Sequence, residues 1–106
     1  MQNSVSITAN LKIKGNDVKD QVLSWSGNKF STIPDDIKDK ISESEDTTFI
    51  MLRSCDLESL DNFPVANNLT KIDLGQNKLT GSELVKLVVK VPALQVLFLD
   101  GNDIAE

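Results

Sequence analysis

The sequence contains no histidine and no tyrosine, and it has a single cysteine. Histidine is the commonest general base and the commonest side-chain metal ligand, so its absence argues against an enzyme or a metalloprotein. We therefore expect no catalytic residues, no bound metal and no cofactor. The lone cysteine, Cys55, cannot form an internal disulfide, which favours an intracellular protein, cytoplasmic or nuclear.

Basic residues are also scarce. Eleven Lys and Arg face 16 Asp and Glu, which gives a formal net charge of -5. This balance argues against a nucleic-acid partner and favours a protein partner. Residues 1–10 lack the features of a signal peptide. The longest apolar-rich run, residues 84–99, is interrupted by polar residues and a proline, so we expect no membrane span.

What the sequence does contain is a recurring apolar pattern. Segments that begin at residues 47, 69 and 94 follow L-x-x-L-x-L-x-x-N-x-L, with Thr47 in the first slot and Cys55 in the asparagine slot of the first copy. This is the leucine-rich repeat pattern, at its usual spacing. The 106 residues, 40% of them hydrophobic, therefore predict one α/β domain: a right-handed β-α solenoid of about four repeats with a parallel concave sheet.

Each slot of the pattern has a physical reason. The L-x-L pair is a short strand that points alternate side chains inward. The asparagine then lies where the chain turns, and its amide can bond backbone groups that the turn leaves unpaired. A small thiol can occupy the same buried slot. The predicted structural ladder comprises Asn28, Cys55, Asn77 and Asn102.

The segments between the strands predict returns of different kinds. A helix is expected near residues 34–42, followed by an exposed acidic loop over residues 42–46. Ser82 is a candidate N-cap for a second helix that ends at Pro92. The expected inner face of that helix is Leu84, Leu87, Val88 and Val91. Residues 57–63 predict a tighter return.

The N-terminal part allows two registers. One frame places Leu23 in the first strand slot and Asn28 in the asparagine slot, whereas a competing frame begins at Val18 and places Leu23 in the last strand slot. Residues 1–19 are expected to form an N-terminal cap, and alternating apolar residues within 5–13 favour a β-strand there. The predicted repeats are 20–46, 47–68, 69–93 and an incomplete 94–106.

Residues 47–106 resemble the leucine-rich repeat domain of the acidic leucine-rich nuclear phosphoproteins. The resemblance rests on LESLDNFPVANNL (57–69) and KIDLGQNKLTGSELVKLVVKVPALQVLFLDGNDI (71–104), and residues 17–23 resemble that family's first repeat. It implies protein binding through the repeat domain, with phosphatase inhibition as one such activity. The family's histone-binding and chaperone activities depend largely on an acidic tail that follows a C-terminal cap. This sequence contains neither element, so those activities are not carried over.

The side chains between the ladder positions are expected to lie exposed on the concave sheet. An apolar cluster on such a surface indicates a partner site, although Phe49 and Phe98 could instead fill gaps over the sheet. Asp73 and Asp100 are better read as surface carboxylates than as an acid–base pair, because no histidine or tyrosine supports them. The predicted partner-binding residues are Phe49, Met51, Arg53, Lys71, Asp73, Val96, Phe98 and Asp100.

The last pattern copy raises a further expectation. Its ladder residues Leu97, Leu99 and Ile104 would be covered in a solenoid by another coil or a cap. Two interpretations follow: the chain is a fragment of a longer protein, or two copies pair end to end as a homodimer. We favour the second. The leading function is a non-catalytic interaction module, with self-association or phosphatase regulation as alternatives.

Overall fold

A computed structural model describes residues 21–104 of the chain. The predicted N-terminal cap, residues 1–19, lies outside the described residues. Within the described range the elements follow one another as strand, helix, strand, strand, helix, strand. They are β1 (Val22–Ser24), α1 (Asp35–Glu43), β2 (Phe49–Met51), β3 (Lys71–Asp73), α2 (Gly81–Val88) and β4 (Val96–Phe98).

The four strands form one parallel sheet in the order β1-β2-β3-β4. Leu23 lies opposite Ile50, Ile50 opposite Ile72, and Ile72 opposite Leu97. This register confirms the frame that puts Leu23 in the first strand slot, and it contradicts the frame that begins at Val18. The chain is therefore an α/β protein with a four-stranded parallel sheet, as the pattern predicted.

The hydrogen-bonded ladder continues past the ends of β1, β2 and β3. The Leu52 N–H donates to the Asp73 carbonyl at 2.8 Å, and the Leu74 N–H donates to the Phe98 carbonyl at 2.9 Å. Each N–H points to the strand that follows it in sequence, so the same residue in each copy is held by the same bond. This regular pairing keeps the segments after the strands in register.

The core lies on the inner side of the sheet. The side chains of Ile50, Leu52, Ile72 and Leu74 are fully buried because alternate strand residues point to opposite faces. The returns close this core with residues that are nearly inaccessible to solvent. These are Ile33, Ile37, Ile41, Leu57, Leu60, Phe63, Leu79, Leu87 and Val91.

Helix α1 confirms the helix expected near residues 34–42. Pro34 stands at its N-cap, where the missing N–H of proline costs no hydrogen bond, and Ile37 and Ile41 are its buried residues. Neither α1 nor any other helix within residues 21–104 is long and apolar enough to cross a membrane.

Helix α2 differs from the expectation at both ends. It begins at Gly81 with Thr80 as the N-cap, so Ser82 lies inside the helix. It ends at Val88, short of Pro92, and Val88 is 53% exposed although it was expected on the inner face. The expected inner positions of Leu87 and Val91 are confirmed, because both side chains are buried. Helix α2 is eight residues long, and the side chain of Val88, its last residue, faces away from the core.

Candidate functional site

A sharp turn follows every strand, one residue before the asparagine slot. The φ angles there are 88° at Gly27, 61° at Ser54, 56° at Gln76 and 77° at Gly101. This left-handed conformation reverses the chain direction locally. As a result, the side chain in the next position can turn back into the sheet and meet unpaired backbone groups.

Asn77 shows what this geometry achieves. Its Oδ1 accepts hydrogen bonds from the N–H groups of Cys55 and Leu57 at 2.9 and 3.0 Å. Its Nδ2 donates to the carbonyls of Leu52 and Leu74, both at 2.9 Å. The buried amide thus satisfies backbone groups of its own turn and of the preceding one, which removes the usual cost of burying a polar side chain.

Asn102 repeats most of this arrangement. Its Oδ1 accepts from the Leu79 N–H at 2.9 Å, and its Nδ2 donates to the carbonyls of Leu74 and Leu99 at 2.8 and 3.0 Å. Its side chain is only partly buried. Equivalent side-chain amides therefore hydrogen-bond two neighbouring turns to the backbone of the segments before them.

The other two ladder positions, Cys55 and Asn28, make fewer hydrogen bonds to the backbone than Asn77 does. Cys55 is fully buried, and its thiol donates to the Trp25 carbonyl at 3.3 Å. Burial raises the pKa of the Cys55 thiol, so it stays protonated and serves as a donor, which favours the structural role that the sequence predicts. Asn28 is exposed and donates at 2.9 Å to the same carbonyl.

The face of the sheet opposite the core, here called the outer face, is the surface that the sequence predicts to be exposed. Only part of it is exposed. Met51, Arg53, Val96, Phe98 and Asp100 are partly exposed. Three other expected partner residues are buried instead: Phe49 is 8% exposed, Lys71 1% and Asp73 4%. The expectation of exposure is wrong for these three.

Two of these buried side chains contact each other across neighbouring strands. Phe49 and Lys71 lie opposite each other on β2 and β3. The Lys71 ammonium lies 5.0 Å from the centroid of the Phe49 ring, a distance at which a cation is attracted by the ring face. The lysine therefore packs along the ring and does not extend into solvent.

Asp73 is buried because Arg53 covers it. The Arg53 Nη1 donates to Asp73 Oδ1 at 3.0 Å and to Asp100 Oδ1 at 3.2 Å, and Nη2 pairs with Asp100 Oδ2. The bond from Arg53 is the largest cause of the lowered pKa of Asp100, and the same pairing raises the pKa of Arg53. One guanidinium thus joins carboxylates from two further strand segments, an arrangement that we call the arginine clamp (Arg53, Asp73 and Asp100).

The clamp depends on Gly75, which lies between Arg53 and Asp100 on the neighbouring segments. A Cβ at Gly75 would overlap the Arg53 guanidinium and the Asp100 carboxylate. Glycine is therefore required by the close approach of the side chain above it. The sequence did contain a signal for this contact. Gly75 occupies the same position of its pattern copy as Arg53 and Asp100 do in the copies before and after it.

The last strand forms an edge with apolar side chains nearby. Leu97 and Leu99 are partly buried, and Ile104 is 37% exposed. Helix α2 adds the exposed residues Val85 and Val88, and its C-cap residue Val89 is exposed as well. Within residues 21–104 the N–H of Leu99 has no backbone acceptor, whereas the equivalent N–H groups of β2 and β3 are paired.

The clamp can hold charge but is poorly suited to proton transfer. Because the pKa of Asp100 is lowered, this carboxylate stays ionised near neutral pH and accepts hydrogen bonds only.

Residues 21–104 contain no group of three His, Cys, Asp or Glu that could hold a metal ion. The sequence matches no model of a known protein family.

Proposed function

We propose that the chain is a leucine-rich repeat solenoid of about four repeats that binds a protein partner through the outer face of its sheet and catalyses no reaction. The equal register of the four strands and the recurring left-handed turns support the repeat interpretation. The equivalent amide bonds of Asn77 and Asn102 support it further.

One observation carries the binding proposal. Met51, Val96 and Phe98 lie partly exposed on the same face of the sheet, although large apolar side chains are more stable when covered. Such residues beside a fixed arginine are typical of the centre of protein interfaces, where methionine, aromatic residues and arginine are enriched. The surface is therefore suited to a protein partner.

The buried members of the predicted site have a supporting role. Asp73 fixes the Arg53 side chain from below, and Lys71 packs on Phe49 beside it. Side chains that are already held lose little conformational entropy when a partner binds. The proposed contact surface is accordingly Met51, Arg53, Val96, Phe98 and Asp100.

A double substitution tests the proposal. Met51→Glu with Phe98→Glu places two charges at the centre of the surface, and partner capture in an affinity purification should be lost. Val65→Glu, at a position 64% exposed and away from the sheet face, is the matched control and should retain capture. Circular dichroism shows that each variant is folded. Unchanged capture by the folded double variant would exclude this surface.

Self-association through the last repeat is a second candidate. The exposed valines of α2, together with Leu97, Leu99 and Ile104 beside an edge strand, favour it. Two edge strands can pair through their free backbone groups. Light scattering at increasing concentration tests this function: a mass that rises to a dimer, and falls again with Leu99→Lys, supports it. A constant monomer mass contradicts it.

A further inference from the structure

The geometry of the arginine clamp restricts which group a partner can present. The Arg53 guanidinium lies where a Cβ of residue 75 would project, so one of its sides is closed by the Gly75 backbone. Both of its terminal nitrogens donate to Asp73 or Asp100, which occupies the end of the guanidinium. The side chain is nevertheless 34% exposed. With Gly75 on one side and the two aspartates at its end, the side of the guanidinium plane that faces away from the sheet is the surface that we consider for a partner contact.

This arrangement is poorly suited to bind an acidic or phosphorylated group of a partner. Arginine binds carboxylate and phosphate through in-plane N–H donors, and here both terminal nitrogens already donate to aspartates. The two aspartates together carry more charge than the one arginine neutralises. A further anion would meet a locally negative site in which both terminal nitrogens of Arg53 already donate.

The outer side of a guanidinium plane has a different preference. It stacks on aromatic rings, and it can do so while its edge donors remain bonded to carboxylates. Building on the proposed function, we propose that the partner presents an aromatic side chain, which stacks on Arg53 between Met51 and Phe98.

The neighbouring strands provide flanks for such a ring. Met51 lies opposite Asp73, and Asp73 lies opposite Phe98. Two strand spacings separate Met51 from Phe98, roughly 10 Å. Asp73, the residue between them, lies beneath the Arg53 guanidinium, so Met51 and Phe98 lie on the two strands that flank the bonded arginine. Methionine sulfur and a phenylalanine edge are both favourable neighbours of an aromatic ring.

An NMR titration of the full chain tests this inference without knowledge of the partner. The probes are N-acetyl-tryptophanamide, N-acetyl-leucinamide, N-acetyl-tyrosinamide and its phosphorylated form, each raised to its solubility limit. We expect tryptophanamide to shift the Arg53 Nε–H and Met51 methyl signals. Leucinamide should bind at least about threefold more weakly, and phosphorylation should not strengthen tyrosinamide binding.

Two variants show whether Arg53 is responsible. Arg53→Lys keeps the positive charge but removes the planar group, so tryptophanamide binding should weaken about threefold or more. Lys29→Gln removes an exposed cation from the neighbouring turn and should leave binding unchanged. Chemical shifts of the core methyl groups that are unchanged from wild type show that both variants keep the fold.

Several results would overturn the inference. No shift at Arg53 at the solubility limit, equal binding of leucinamide, or stronger binding of the phosphorylated probe would each contradict aromatic stacking. So would unchanged binding to Arg53→Lys. If these failures occur while Met51→Glu with Phe98→Glu still abolishes partner capture, the sheet face is a binding surface but aromatic recognition is wrong.

Discussion

The Arg53 guanidinium bonds the Asp100 carboxylate, which lies 47 residues further along the chain. The two residues follow β2 and β4, and the side chain of Arg53 crosses over Gly75 to make the contact. One side chain thereby connects the ends of three strands. Because its Asp73 partner is 6% exposed in its side chain, the bond that holds the arginine in place is well shielded from solvent.

Gly75→Ala should destabilise the protein by about 1–2 kcal/mol, because the added methyl group overlaps the guanidinium of Arg53 and forces it to move. In an Arg53→Ala background this cost should be smaller, since the guanidinium is gone and only the Asp100 carboxylate still obstructs the methyl group. Urea denaturation of the four proteins in this cycle measures the coupling. Equal effects of Gly75→Ala in both backgrounds would contradict the close approach.

The clamp should also make stability depend on pH in the acidic range. Asp100 has a pKa below its ordinary value of 3.8 in the folded protein. Its contribution is therefore present above that value and is lost as the pH falls through the lower folded pKa. Asp100→Asn should cost about 1 kcal/mol at pH 7, a modest value because the side chain is partly exposed.

Urea denaturation of wild type and Asp100→Asn from neutral to acidic pH checks this prediction. The difference in unfolding free energy should shrink as the solution becomes more acidic than about pH 4. Asp103→Asn removes a neighbouring exposed carboxylate with no ion-pair partner within residues 21–104 and controls for lost charge. A difference that grows on acidification would show that the sign is wrong.

The three asparagine positions should differ in importance. Asn77→Ala leaves several buried backbone groups unpaired and should cost about 3 kcal/mol or more. Asn102→Ala should cost about 1–2 kcal/mol because its amide is only partly buried. Asn28→Ala should cost less than about 1 kcal/mol, since Asn28 is exposed. Urea midpoints that do not follow this order would contradict the ladder.

Two glycines offer a matched test of the left-handed turns. A Cβ would meet no atom within 4 Å at either Gly27 or Gly81, but only Gly27 has a positive φ, of 88°. Gly27→Ala should therefore destabilise by about 1–2 kcal/mol through backbone strain alone. Gly81→Ala, at a helix start, should be neutral or slightly stabilising. Equal thermal midpoints for the two variants would exclude the strain.

The sheet was predictable from the sequence because its signals are local. The apolar pair in each copy sets which residues point inward, and this places Ile50, Ile72 and Leu97 in one register. For Leu23 the sequence allowed two frames, and only its pairing with Ile50 decides between them. The asparagine slots were predictable for the same reason. The extent of α2 was predicted less well, since the apolar spacing around Val88 continues beyond the point where the helix ends.

The outer face of the sheet was harder to predict because burial there depends on contacts between copies. Nothing near Asp73 in sequence indicates that Arg53, 20 residues earlier, covers it. The packing of Lys71 on Phe49 is equally non-local. The sequence pattern identifies which side chains share the face, but their lengths and charges decide which of them remain accessible.

The most direct test of partner binding through this face is site-specific photo-crosslinking. Benzoyl-phenylalanine replaces Phe98 and keeps its first ring while adding a photoreactive benzoyl group, and the same amino acid at Val65 controls for non-specific capture. Binding through the sheet face predicts one discrete crosslinked protein from position 98, reduced by Met51→Glu, and none from position 65. The same adduct from both positions, or from position 65 alone, would contradict it.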